Sequence, residues 1–594
     1  MLRNRAGRVP ASAQSVISIL RAGNREPIMS TAENIPTAPQ PASTKREASP
    51  QAETVFHEAA FSISERALRL FRWGWTILMV LATTAPYLWA YLTAVPGYRY
   101  TWILPPYPED SYGYMAWSEQ AAHGALLFKV KYTAIPQPAF LFHPFFLLCG
   151  WLSHLLGGNL GLTQLVMKEI GVVLFLLVFY RYCDYLRLNG FASLVATVLL
   201  GISSGFGGFF GLLSTPDQLG FFPADLTMPE MSTYWSLLWN PLFPYSLLLM
   251  LLTIFLLDRG TRESRGKDLW YAGLSCGLLA LIHPYSQPLL LAFAAIVVFV
   301  RRKSDWLGYL LRFAAPLAPF LLYVALLTIL QPVVSAHSAQ GSMTSPHLAE
   351  YLVGFGLPLL LWLAGFAAGR GRWMKQYWQL VLWFVLSLGL AYLPVWFQRK
   401  LIFGAHIPLC LLAALSFDLL LAKVAKPSLR KVSLAVAVVV MLPLLTITPI
   451  AVLSMSSGYV KENAEGAYYL SPDMVSALKF LKQQNDPDGI VLASIATSRA
   501  IPGLAGNTVV WGHWAMSVDL AARTEWYSKL FNRPQNWDDE QRNRDFWGSG
   551  IRYIFADGNL RLAIQRNPWK WNVILKDADE VFQNDTVVIY KRRG

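Results

Sequence analysis

Charge is what this 594-residue chain has least of. Asp, Glu, Lys and Arg together supply 14% of the residues, against 54% hydrophobic ones, and the mean hydropathy is +0.37. Soluble domains carry about a quarter charged residues. Composition therefore excludes an ordinary soluble globular protein and points to a polytopic membrane protein. Cysteine is almost missing: Cys149, Cys183, Cys276 and Cys410 are the whole set, each in or beside an apolar segment and none in a Cys-x-x-Cys pair. That speaks against a disulfide framework and against a thiolate zinc site. There is no internal repeat, and the amino terminus lacks the apolar core of a cleavable signal peptide. Two stretches, 214–233 and 331–347, contain no Lys or Arg at all.

Aromatic residues, by contrast, abound, with 22 Trp, 26 Tyr and 33 Phe, as expected where rings populate a membrane interface. The formal charge of +14 could suggest nucleic acid. Its cations are spread through short loops between apolar segments, so they read as topology signals and contacts to anionic lipid headgroups, with no nucleic-acid partner.

Residues 1–64 are rich in Ala, Ser, Pro and Thr and read as a disordered tail. Arg66, Arg69 and Arg72 just before the first apolar run place this end in the cytoplasm. From 65 to 455, about eleven spans of roughly 20 apolar residues follow. They lie near 73–95, 161–183, 190–213, 234–257, 268–283, 285–301, 306–330, 348–369, 376–397, 401–422 and 432–454. The stretch 139–157 is ambiguous. Its Phe142-His143-Pro144 start and Gly157-Gly158 end suit a shallow or re-entrant helix better than a crossing. Charge supports that choice. Without a crossing at 139–157, the loops rich in Arg and Lys (259–267, 301–303, 370–375, 423–431) all fall on one side. The Lys- and Arg-free loops then fall on the other, a positive-inside pattern. The expected location is the inner (cytoplasmic) membrane, with the carboxy-terminal domain outside the cytoplasm.

Chemistry-bearing groups collect on that outer face. The stretch after the first span, Pro105-Pro106-Tyr107-Pro108-Glu109-Asp110-Ser111-Tyr112, presents adjacent carboxylates beside aromatic rings. The loop from Ser214-Thr215-Pro216-Asp217 to Asp225 and Glu230, the break His283-Pro284-Tyr285, and Arg399-Lys400 join it. Each alone has a plainer reading. Asp217 and Asp225 could be turn residues or caps, His283 could end a short helix, and Arg399 and Lys400 could be headgroup anchors. Together they describe a base and a leaving-group cation. A carboxylate can deprotonate an acceptor or help hold a divalent cation, Mg or Mn. Arg and Lys at headgroup height suit a phosphate on which negative charge develops. That chemistry is transfer of a sugar from a polyprenyl-phosphate donor. Lys168-Glu169 inside a span has no assigned role and best supports the rival reading, a transporter or flippase of a lipid-linked envelope precursor.

On these residues the chain resembles the GT-C superfamily of integral-membrane glycosyltransferases. The resemblance is carried by Glu109-Asp110, Phe142-His143-Pro144, the 223–230 loop, Ile282-His283-Pro284, and Gln398-Arg399-Lys400-Leu401 leading to Gly404-Ala405-His406-Ile407-Pro408. It implies a GT-C-like membrane domain, an inverting transfer with Asp110 or Glu109 as base, and Tyr112, Asp225, Glu230, His283, Arg399 and Lys400 in substrate binding. Its partners would be the lipid-linked donor and membrane lipid.

From 456 onward the composition turns to that of a small α/β domain. Ser471-Pro472-Asp473 opens a helix. Strands are expected at 490–494, 508–511, 551–555 and 586–590, with helices near 519–531 and 538–547. Trp511-Gly512-His513-Trp514 ends a strand, and His513 and Trp514 are candidates to contact the acceptor, as a Trp-rich motif does in oligosaccharyltransferases. Packing under a turn is the plainer alternative.

Overall fold

The computed structural model describes residues 59–593 apart from 106–107, 214–221, 341–342, 372–374, 463–466 and 533–537. The expected disordered tail lies outside the described residues, as does Ser214 to Asp217. Phe56–Gly594 form one compact unit.

Nine helices among the described residues are long and apolar enough to cross a bilayer. They are Glu65–Leu92, Leu160–Tyr185, Gly190–Gly211, Phe243–Arg262, Pro284–Arg301, Trp306–Leu330, Leu348–Ala368, Gln398–Ala422 and Pro427–Gly458. The other two expected spans are present as shorter helices. Gly266–Ile282 has 17 residues and stops at His283-Pro284; Trp378–Leu390 has 13 and gives way to turns before Gln398. Proline after His283 cannot extend the preceding hydrogen-bond ladder, which is why that pair breaks there.

Burial sorts the helices. The Gln398–Ala422 segment is apolar all round and its window is 89% buried, so it forms the centre. Trp306–Leu330 and Pro427–Gly458 are 17% buried and form the rim. The stretch 139–157 yields only the ten-residue helix Pro144–Ser153 and a 3-10 turn. Ten residues rise about 15 Å, half of the roughly 30 Å hydrocarbon core. Lys168 is a strut: its Nζ donates to the Thr83 and Leu238 carbonyls at 2.9 and 3.1 Å and pairs with Glu169 at 2.9 Å. The intramembrane charge pair is thus consumed in joining helices, which removes the best support for a transport path.

The carboxy-terminal sheet has the order β4-β3-β5-β7-β6, where β3 is Ile490–Ala493, β4 Thr508–Val509, β5 Ile551–Ala556, β6 Ala578–Gln583 and β7 Val588–Arg592. The β3 pairings with β4 and β5 are parallel; the β5–β7 and β6–β7 pairings are antiparallel. A separate two-stranded ladder pairs Arg99–Tyr100 (β1) with Tyr469–Leu470 (β2). That ladder ties the first interhelical segment to the carboxy-terminal part. The tie continues in a shared core: Ala116, Val130 and Tyr132 pack with Leu478, Val491, Ile501 and Phe555.

Candidate active site

Helix Pro108–Ala122 opens with Pro108 and has Glu109 and Asp110 in its first turn. Proline suits a first helical position, and carboxylates favour the positive end of the helix dipole. The helix approaches the carboxy-terminal part closely. A Cβ on Gly503 would lie 2.8 Å from the Met115 Cβ, and one on Gly113 would lie 3.1 Å from the Met516 Cε. Glycine at 503 thus serves close helix packing.

Beside that first turn lies a cavity of about 790 Å³. Its polar wall contains Glu109, Asp110, Asn240, His283, Arg399, Lys400 and His513. Aromatic rings flank them: Tyr114, Trp117, Phe146, Tyr285 and Trp514. Segments far apart in sequence therefore converge: the acidic turn, the helix break at 283, the start of the central helix, and the loop after β4.

The two carboxylates have different partners. Glu109 pairs with the Arg499 guanidinium at 3.1 Å. Asp110 faces Nε2 of His513 at 3.5 Å. Burial alone would push the Asp110 pKa up. The His513 ring beside it pulls it down most, followed by the Lys400 charge and Trp514, and the balance lies below the ordinary value. Asp110 is held ionised, which is what a base requires.

The cationic pair also divides. Lys400 is anchored to Glu230 at 2.5 Å and lies over the Phe243 ring. Burial would raise the Glu230 pKa, but Lys400 and then Arg399 hold it down. Among the described residues Arg399 makes no ion pair, and its Nε is buried without a hydrogen-bond partner. His283 donates or accepts through Nδ1 at Ser286 Oγ, 2.8 Å away, while its Nε2 has no partner. His143, stacked on Phe146 at 4.1 Å, is kept neutral by burial, which lowers its pKa to about 3.

Three of the candidate residues are not on this wall. Tyr112 is fully buried, and its hydroxyl donates to the Ala467 carbonyl at 3.0 Å. Asp225 is buried near Ser204 and Gly207, whose backbone N–H donates to it at 3.2 Å; burial raises its pKa to about 6. Glu230 reaches the cavity through its ion pair with Lys400. Sequence reasoning missed Arg499, which follows a short helix after β3 and has no local motif, and it missed the ring wall of Tyr114, Trp117 and Phe146.

A divalent cation finds no suitable donor set at the acidic pair. Glu109 is occupied by Arg499. The His513 Nδ1 accepts N–H groups from Ala515 and Met516 at 3.1 and 3.2 Å, so the ring proton sits on Nε2, the nitrogen facing Asp110. A protonated nitrogen is not a ligand. Among the described residues no group of three His, Cys, Asp or Glu side chains is arranged to hold a metal. Among the described residues the acidic pair thus presents no assembled donor set for the divalent cation that the sequence left open.

The fold and the site define a class: a polytopic helical membrane protein with a small-sheet carboxy-terminal domain, carrying a cavity with acid and cation together. No family model matches the chain, and no curated protein matches it. Among solved structures it is similar to the apo oligosaccharyltransferase of Archaeoglobus fulgidus, at 12% identity over 86% of this chain and 73% of that one, with a TM-score of 0.50. It is also similar to arabinofuranosyltransferase AftD from Mycobacteria, at 16% identity over 90% of this chain and 40% of that one, with a TM-score of 0.50. ArnT from Cupriavidus metallidurans, bound to undecaprenyl phosphate, aligns at 13% identity over 87% of this chain and 98% of that one, with a TM-score of 0.44. At these identities the likeness is one of fold, shared with an oligosaccharyltransferase and an arabinofuranosyltransferase.

Proposed function

We propose that this chain is a membrane glycosyltransferase that moves a sugar from a polyprenyl-phosphate donor to an acceptor outside the cytoplasm, with Asp110 as general base. One observation carries the reading: of the four Asp, Glu, Arg and Lys side chains on the cavity wall, two are matched by partners behind it and two are not. Glu109 is matched by Arg499, and Lys400 by Glu230. That leaves one ionised carboxylate, Asp110, whose direct partner is a neutral imidazole, and one guanidinium, Arg399. In the proposed step Asp110 takes the proton of the acceptor O–H or N–H. The acceptor atom bonds to the anomeric carbon as the bond from that carbon to the phosphate oxygen breaks. The electron pair leaves with polyprenyl phosphate, whose growing charge Arg399 and Lys400 stabilise. Attack opposite the leaving group inverts the anomeric centre.

The cavity is lined largely by apolar side chains such as Leu141, Leu281, Ile282, Val333 and Val334, which suits the isoprenoid end of such a donor. The fold supports the same class, and the positive-inside pattern supports a cavity that opens outside the cytoplasm. The test uses protein in lipid nanodiscs and a panel of farnesyl-phosphate pentoses and hexoses, read as release of farnesyl phosphate. Asp110→Asn should abolish release while farnesyl phosphate still binds by calorimetry. Release that survives Asp110→Asn, or movement of the intact phosphosugar across vesicles without bond cleavage, sinks the proposal.

A further inference from the structure

The loop 512–517 is built around one imidazole. Ser517 Oγ accepts the N–H groups of Gly512 and His513 at 3.0 and 3.1 Å, and the His513 Nδ1 accepts those of Ala515 and Met516. Four of the turn's backbone donors are thus satisfied by two side chains. The ring is 2% exposed and is flanked by the Tyr132 and Trp514 rings, at 5.4 and 6.1 Å between centroids. Gly512 adopts φ +147°, and a Cβ there would lie 2.8 Å from the Ser498 carbonyl carbon, so the loop has little room to relax. A nitrogen that accepts two N–H groups has its lone pair engaged and carries no proton. The tautomer follows from the donors around it: the proton is on Nε2, which is buried without a hydrogen-bond partner among the described residues and stands 3.5 Å from Asp110 Oδ1.

We propose that His513 is a positioning residue for the transfer: locked as a neutral Nε2–H donor, it holds one oxygen of Asp110 and leaves the other to face the acceptor. This rests on reading Asp110 as the base. The loop cannot supply a second proton acceptor, because protonating Nδ1 would set it against two N–H groups. His513 therefore orients and stabilises the carboxylate without relaying its proton. The other groups facing Asp110 are Lys400 from the start of the central helix and Trp514 from the same loop. Tyr114 and Tyr285 also sense its charge, and Glu109 on its own helix is matched by Arg499.

The sign follows from the donor. Removing an N–H that favours the carboxylate raises the Asp110 pKa, so its protonated form persists to higher pH. The first readout needs no substrate. A hydrophobic carbodiimide labels protonated carboxyls, and mass spectrometry of the full-length protein's peptides gives the pH midpoint at Asp110. His513→Phe keeps a ring without the donor, and His513→Gln restores an N–H near the Nε2 position. The midpoint should rise by about one pH unit or more in His513→Phe and return in His513→Gln. The second readout is farnesyl phosphate release, where His513→Phe should lower kcat by about ten- to a hundredfold with donor KM unchanged. An unmoved midpoint in folded His513→Phe, or a His513→Gln midpoint as displaced as that of His513→Phe, overturns the positioning role. Asp110→Asn separates this from the reading beneath it. If that variant still releases farnesyl phosphate, Asp110 is not the base. If it is silent while the midpoints stay put, only the role of His513 falls.

Discussion

Glu109 and Arg499 stand 3.1 Å apart, one on the first turn after a membrane-spanning helix and the other 390 residues later in the carboxy-terminal part. The pair fastens the cavity's acidic turn to the domain that supplies its far wall. It also separates two carboxylates that are equivalent on paper: one is bound to a guanidinium, and its neighbour faces an imidazole.

Glu109→Gln should therefore retain farnesyl phosphate release to within about tenfold, where Asp110→Asn abolishes it. Both side chains of the ion pair are about a fifth exposed, so the pair is worth on the order of 1 kcal/mol. A double-mutant cycle of Glu109→Gln and Arg499→Met, followed by thermal unfolding in detergent, should return a coupling of about that size. No coupling would mean that the fastening lies elsewhere, in the β1–β2 ladder.

The Lys400–Glu230 pair is a different case, because Glu230 is fully buried. Removing one partner strands the other in a dry site, at a cost of about 3–5 kcal/mol. Glu230→Ala should lower the unfolding temperature strongly and Lys400→Met comparably, while the double variant recovers much of the loss. Single and double variants with equal melting points would show that water reaches the pair.

Asp225 carries a pH signature. Its folded pKa is about 6 because burial disfavours the charged form, against roughly 4 for an unfolded Asp. Between those values the folded protein binds the extra proton. Stability is therefore highest below about pH 4 for this group and falls as pH rises through 6, by about 3 kcal/mol in all. Asp225→Asn cannot ionise, so the melting points of the two proteins should diverge on going from pH 5 to pH 8, with the variant gaining. A constant difference across that range would place Asp225 in water.

Much of the fold was legible because apolar runs of about 20 residues have few alternatives. Helices stand at all eleven expected span positions, but Gly266–Ile282 and Trp378–Leu390 are short, and the expected 234–257 span is broken into Thr233–Trp239 and Phe243–Arg262. The site was legible in part for the same reason: once loops are sorted by Lys and Arg, residues such as Asp110, His283 and Arg399 have one face on which to meet. Long-range pairing was not legible. Nothing near Arg499 marks it as the partner of Glu109, and Tyr112 and Asp110, two residues apart on a helix, point into a core and a cavity respectively. The strand β6, Ala578–Gln583, also escaped, since Ala-Asp-Glu-Val-Phe-Gln is too polar and short of β-branched residues to declare itself.

Arg399 offers the sharpest test of where the phosphate goes. Its backbone N–H donates to the Met343 carbonyl at 3.2 Å, which fixes the main chain, yet its Nε is buried with no partner among the described residues. An unmet buried donor costs about 1–3 kcal/mol, and a phosphate oxygen in the cavity would recover it. Lysine keeps the charge but loses the fork of planar donors. Arg399→Lys should thus weaken farnesyl phosphate binding about tenfold or more, and Arg399→Ala further still. Farnesol, which has no phosphate, should bind all three proteins alike. If farnesol loses affinity in step with farnesyl phosphate, Arg399 is shaping the apolar wall, and the leaving group must be held by Lys400 and His283 instead.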